Sequence, residues 1–226
     1  MKSLYFFFLL IILSGCAYQN TNAAIASMNN ISDEQKTFIS NSTTKYGSRS
    51  AASSAFLDKG FKAYNNNEIA KAEDYFNKAK LLDDRNPEVY HGLGSIPYDQ
   101  GDNCRAMETM NKALHLDWSK REYNRPSFLA DLGMVTSLCA YTTGYDQYGT
   151  QDTLIKASDN LFLESQSIHE SAYLYDKWWQ ALYWRGDFSE AWEKVFEMRR
   201  LGGEPNTQYL QLLKQQMPNP NKPDTP

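Results

Sequence analysis

The sequence predicts an all-α protein built of antiparallel helical hairpins stacked in series. Three observations carry that prediction. A phrase from Ala72 to Asp83 returns from Ala106 to Asp117 at a spacing of 34 residues, with Asn77, Lys78, Ala79 and Leu82 answered by Asn111, Lys112, Ala113 and Leu116. Gly60 and Tyr64 return at the same spacing as Gly94 and Tyr98. The turn Gly101-Asp102-Asn103 before Ala106 has its counterpart in Gly186-Asp187-Phe188 before Ala191. A period of this length marks stacked helix pairs. The small residues stand where paired helices approach closely and a larger side chain would push them apart.

These residues resemble the tetratricopeptide repeat (TPR) family over about residues 53–205. The resemblance implies a short superhelical array of about four hairpins with a concave groove. It also implies that the inner face of each hairpin's first helix lines that groove, and that the chain binds a protein or peptide rather than catalysing a reaction.

Taken in order, the chain opens with Lys2 and an unbroken apolar run from Leu4 to Leu13. Such a run is too short to span a bilayer, which needs about 20 apolar residues, and fits the core of a signal peptide over residues 1–15. It ends in Leu13-Ser14-Gly15-Cys16, which resembles the lipobox of bacterial lipoproteins. That resemblance implies cleavage before Cys16 and acylation (palmitate among the chains) of Cys16. Several acyl chains on one residue anchor a protein stably, each buried methylene contributing about 0.8 kcal/mol. Ala17, where an Asp would signal retention in the inner membrane, resembles the outer-membrane pattern, facing the periplasm. Residues 16–50 then read as a flexible tether rich in Asn, Ser, Thr and Ala, with Ser32-Asp33-Glu34-Gln35 able to cap a short helix through Phe38 and Ile39.

The array is expected over residues 51–217. In the first hairpin, helices are predicted over 54–66 and 68–82, broken by Asn65-Asn66-Asn67. The second begins at Pro87, a residue suited to a first helical turn. Pro97 falls inside its first helix and predicts a kink there, the alternative being a late helix start after Gly94. The third is irregular. A helix is predicted from Pro126 to about Thr142 and another from about Asp152, with Ala157 and Leu161 as packing positions. The Gly- and Tyr-rich stretch 142–152 is an insertion of about 12 residues. The fourth returns to pattern except for Trp179, which occupies a small-residue position. Asn206 to Met217 should cap the array. The tail, residues 218–226, carries four prolines in Pro-Asn-Pro-Asn-Lys-Pro-Asp-Thr-Pro and cannot continue a helix.

Composition sets limits on function. Of 226 residues, 42% are hydrophobic, enough for a core, and 15 Tyr and 5 Trp make the chain rich in aromatics. A net charge of −4 gives no electrostatic case for nucleic acid. His91, His115 and His169 are isolated, with no metal-ligand spacing, and no glycine loop for phosphate is present. No cofactor or metal is implied. In a TPR stack the helices carrying Cys104 and Cys139 are antiparallel neighbours, and the periplasm is oxidising, so a disulfide between them is expected. Two buried thiols are the alternative.

Mapped onto the repeat, the groove positions are Leu57, Phe61, Tyr64 and Asn65; Glu88, His91, Ser95, Tyr98 and Asp99; Ala130, Met134 and Ser137; Tyr173, Asp176, Gln180, Tyr183 and Trp184. Phe61, Tyr64, His91, Tyr98, Asp99, Asp176, Tyr183 and Trp184 are the chosen partner contacts. An aromatic surface with interspersed acids suits an apolar or basic peptide of another envelope protein. The resemblance then implies a scaffold or adaptor in pilus or secretion assembly, or in cell-wall enzyme regulation. A protein whose 142–152 loop forms an enzyme or small-ligand site is the competing expectation.

Overall fold

A computed structural model describes residues 31–120 and 122–221, and all regular structure in them is helical. The signal peptide, Cys16 and the last five residues lie outside the described residues. The chain divides into two compact units between Ala52 and Ser53. In the first unit, α1 spans Asp33–Tyr46. The tether expected over residues 16–50 is therefore helical from Asp33 onward. Ser32 and Gln35 form a reciprocal capping box, and Gly47 ends the helix in the left-handed conformation at φ 82°.

The second unit is a series of hairpins: α2 (Arg49–Asn65) with α3 (Ile69–Leu82), α4 (Pro87–Asp99) with α5 (Asn103–Leu114), α6 (Arg125–Cys139) with α7 (Gln151–Ile168), and α8 (Ala172–Arg185) with α9 (Phe188–Arg200). A last helix, α10 (Thr207–Gln216), buries Leu210 and Leu213 against the fourth hairpin. The local signals are legible. Asn86, Asp102, Ser171 and Asn206 each accept a backbone N–H at a helix start. Asn67 makes the first turn at φ 60°, a conformation Asn tolerates better than most residues. Helix α4 starts at Pro87, not after Gly94, and runs through Pro97 to Asp99, with Pro97 buried in its last turn.

Close helix approach is built the same way three times. A methyl group on Gly60 would lie 2.5 Å from the ring of Phe76, one on Gly94 2.4 Å from Met110, and one on Gly133 3.2 Å from Phe162. A methyl group on Gly92 of α4 would lie 2.5 Å from the same Phe76 ring, so one phenylalanine is held between α2 and α4. In the fourth hairpin the small-residue position holds Trp179, fully buried, and the residue at the matching offset is Val195 in the same core. The large group has moved from the trailing helix to the leading one.

The third hairpin departs from expectation in register. Ala157 is exposed and Leu161 half-buried; the buried row is Leu154, Ser158, Phe162 and Ser165. Ser158 and Ser165 stand where the other hairpins have Ala72 and Ala79 or Ala106 and Ala113. Their hydroxyls donate to the carbonyls of Gly133 (2.7 Å) and Pro126 (2.8 Å), tying α7 to α6. The insertion is taken up by a 3₁₀ turn at Tyr145–Tyr148 and a longer α7, pinned where Gln151 Nε2 donates to Ala140 O. Arg185 reaches across from α8 with its side chain only 3% exposed. Its guanidinium donates to Ser137 Oγ, Ser158 Oγ and Asp159 Oδ1 at 2.8, 2.8 and 2.6 Å. Cys104 at the start of α5 and Cys139 at the end of α6 form a buried disulfide with Cα atoms 4.6 Å apart.

Candidate functional site

Helix α6 is buried nearly all round, with eleven of its fifteen residues in the interior. A helix so enclosed is held rigidly by its neighbours. Asp131 is one of its few residues not fully buried, and it forms the floor of a cavity of about 240 Å³ opened by α2, α4, α6 and α8.

The Asp131 carboxylate, 18% exposed, is the hub of this floor. His91 Nε2 on α4 donates to Oδ2 at 2.9 Å, which fixes the ring proton on Nε2. Tyr173 on α8 donates its hydroxyl at 2.7 Å to Oδ1 and 2.8 Å to Oδ2, and Lys177 Nζ lies 3.7 Å from Oδ1. Burial pushes the Asp131 carboxyl up. The His91 hydrogen bond and charge, with Lys177 and Tyr173, more than offset it and hold the group below the usual carboxylate range. Burial and Asp131 together hold the Tyr173 phenol protonated far above its ordinary range. His91 itself packs between the rings of Phe61 and Phe128 at 5.8 and 5.5 Å.

A second phenol–carboxylate couple lies on the same face. Tyr64 on α2 donates to Asp99 Oδ1 on α4 at 3.0 Å, and burial with this bond raises its pKa strongly. Tyr98 is pushed up to about 12, first by burial and then by Asp131, Tyr209, Asp99 and Asp176 around it.

Of the groove residues expected from sequence, Phe61, Tyr64, His91 and Tyr98 line this cavity together. Asp99 is joined to it through Tyr64, and Asp176, which accepts from Trp179 Nε1 at 3.1 Å, acts on both Tyr98 and Tyr173. Tyr183 and Trp184 do not line it. They pack edge to face on each other at the end of α8, with Trp184 53% exposed. Leu57, Glu88, Ala130 and Ser137, mapped to the groove by repeat position, are buried in the array; Glu88 accepts a hydrogen bond from Asn124.

Sequence reasoning missed Asp131 and Lys177. A signal was present. Asp131 stands two residues before Gly133, and Lys177 two before Trp179, so the hairpin alignment puts opposite charges at one position of neighbouring helices.

A second cavity, of about 450 Å³, opens between α5 and α7, bounded by Met107, Leu114, Leu154, Leu161 and Tyr148 of the insertion. Among the described residues no group of side chains has the makings of a metal site, and no helix is long and apolar enough to cross a membrane. No model of a known protein family matches the sequence, and no curated protein matches it.

Proposed function

We propose that the chain is a TPR lipoprotein of the bacterial cell envelope. Acyl chains on Cys16 hold it to the outer membrane, facing the periplasm, and it binds another envelope protein through the face that carries the Asp131 cavity. It works as a scaffold in pilus or secretion assembly, or in the regulation of a cell-wall enzyme, and not as a catalyst. The observation that carries this reading is the make-up of the cavity. Phe61, Tyr64, Tyr98 and Tyr173 come from three different leading helices, the arrangement that suits capture of an extended or helical segment along the array. Most of its polar groups are engaged in holding one another or their neighbours. Asp131 is bound by His91, Tyr173 and Lys177, and the Ser95 hydroxyl donates to the His91 carbonyl at 3.0 Å. A nucleophile and a base facing one another are not among these contacts.

The rival reading, an enzyme or small-ligand site at the 142–152 loop, is favoured by the larger cavity beside Tyr148. Site-specific photocrosslinking in cells separates the two. A crosslinker at Gln180, on the half-buried inner side of α8, should give a discrete protein adduct, and one at exposed Asn160 on α7 should give none. Adducts confined to position 160, or a groove adduct that survives the Tyr98→Ala, Trp184→Ala double substitution, would overturn the groove reading. Loss of metabolic palmitate labelling in Cys16→Ser tests the anchor independently.

A further inference from the structure

We propose that the Asp131 cavity receives a cationic side chain, arginine or lysine, presented by the partner polypeptide between apolar residues. The inference rests on the groove reading above. The protein already holds one cation here, and shows how. Lys177 Nζ sits 5.1 Å from the centroid of the Tyr173 ring and 3.7 Å from Asp131 Oδ1, while the Tyr173 hydroxyl donates to the same carboxylate. That is a lysine shared by an aromatic face and a carboxylate.

The Tyr64–Asp99 couple repeats this arrangement without the lysine. The phenol donates to Oδ1 at 3.0 Å, and among the described residues no basic side chain pairs with Asp99. Asp176 is in the same position. Its Oδ1 accepts from Trp179 Nε1, and its other oxygen makes no hydrogen bond among the described residues. Three carboxylates, Asp99, Asp131 and Asp176, thus act on Tyr98, and Asp131 and Asp176 act on Tyr173 as well, against the cations of Lys177 and, when protonated, His91. Two of them keep an oxygen for an incoming donor. Like-charge repulsion excludes an acidic segment, and a purely apolar one would strip water from Asp99 and Asp176 without replacing its hydrogen bonds.

Size and lining agree with this. About 240 Å³ holds some eight waters at about 30 Å³ each, the room of one long side chain, and not of a folded domain. Phe61 and Tyr98 offer apolar surface along which the methylene stem of arginine or lysine lies while its charged end reaches toward Asp131, which lines the cavity, and Asp99, which is joined to it through Tyr64.

The test uses the full-length protein and peptides selected on it from a random phage-displayed library. Selected peptides should be enriched in Arg or Lys flanked by apolar residues. Their affinity should fall roughly tenfold in the Asp99→Asn, Asp176→Asn double variant, and equally when the peptide's arginine is replaced by neutral citrulline. Asn at 176 keeps an acceptor for Trp179, so the fold is retained; circular dichroism verifies this. Ser95→Arg, which places a cation in the cavity from within, should abolish binding. Peptides that are lost in Ser95→Arg but carry no basic residue, or ignore the Asp→Asn pair, would overturn this inference and leave the groove reading standing. Peptides that bind Ser95→Arg unchanged, or a library that yields no binder, would overturn both.

Discussion

The first two hairpins and the last two solve one packing problem with different residues. In the first pair, glycines face Phe76 and Met110, and alanines line the rest of the contact. In the second pair, serines replace the alanines of α7, and a tryptophan replaces the glycine of α8. The regular half is held mainly by shape, with a buried bond from the Ser53 hydroxyl to the Ala79 carbonyl and one from Tyr64 to Asp99. The irregular half adds directional bonds: Ser158 and Ser165 to α6 carbonyls, and Arg185 across three helices. Either helix can supply the large side chain at the contact.

That contrast can be broken most forcefully at Trp179. Trp179→Gly should cost about 3–5 kcal/mol in denaturant unfolding, because the valine opposite cannot fill the space. Adding Val195→Phe, which rebuilds the glycine–aromatic contact of the other hairpins, should recover part of the loss. A single variant as stable as the parent would show that the two halves are not equivalent after all.

Next in size is the seam between the halves, where the Cys104–Cys139 bond joins α5 to α6. Replacing both cysteines by alanine should cost about 2–4 kcal/mol, seen as a lower melting midpoint that the parent protein matches only in reductant. Insensitivity of the parent to reductant would mean that shape alone holds the seam.

Ser158→Ala should cost about 1–2 kcal/mol, since Arg185 Nη2 loses an acceptor in a nearly closed site. The lysine variant at position 185 should not restore the network, because it lacks the planar fork that reaches three acceptors. An unchanged unfolding midpoint in Ser158→Ala would leave the irregular half held mainly by shape, like the regular one.

The last effect is alkaline. Tyr98 packs against the core between the second and third hairpins and that of the third and fourth, and keeps its proton to about 12, whereas an unfolded tyrosine ionises near about 10. The folded state therefore binds the extra proton in that window. Stability from this group is complete below pH 10 and is lost as pH rises toward 12. Tyr98→Phe should flatten the fall in stability over that range in unfolding curves, and an unchanged slope would count against a sheltered hydroxyl.

The hairpins were legible because the 34-residue period and the turn residues at Gly101 and Gly186 are local signals. The third hairpin was harder to read. Serine at 158 and 165 disguises positions that alanine marks elsewhere, and the insertion separates Gly133 from its partner Phe162. With α7 misaligned, Ala157 and Leu161 were chosen one residue away from the buried row. The helix at Asp33 was visible as a capping box, but its extent to Tyr46 was hidden in a composition that reads as a tether. Of the cavity's lining, Phe61, Tyr64, Tyr98 and Tyr173 stand at positions the repeat register picks out, while Tyr183 and Trp184, picked out in the same way, lie elsewhere. The cavity's floor did not follow from repeat position, because the Asp131 partners lie 40 and 42 residues away on other helices, and only three-dimensional stacking brings them together.

The disulfide also has a mechanical consequence. Its cysteines are 35 residues apart in sequence but 4.6 Å apart between Cα atoms. When the chain is stretched from its ends, the tension crosses that short link and bypasses the segment between. Roughly 120 Å of potential extension, at about 3.3–3.6 Å per residue, stays out of reach until the bond is reduced. Helix α6, with Asp131 and the floor of the cavity, lies inside the shielded segment. The carboxylate at the heart of the polar centre, though not its partners on α4 and α8, therefore lies in the part a pulling force reaches last.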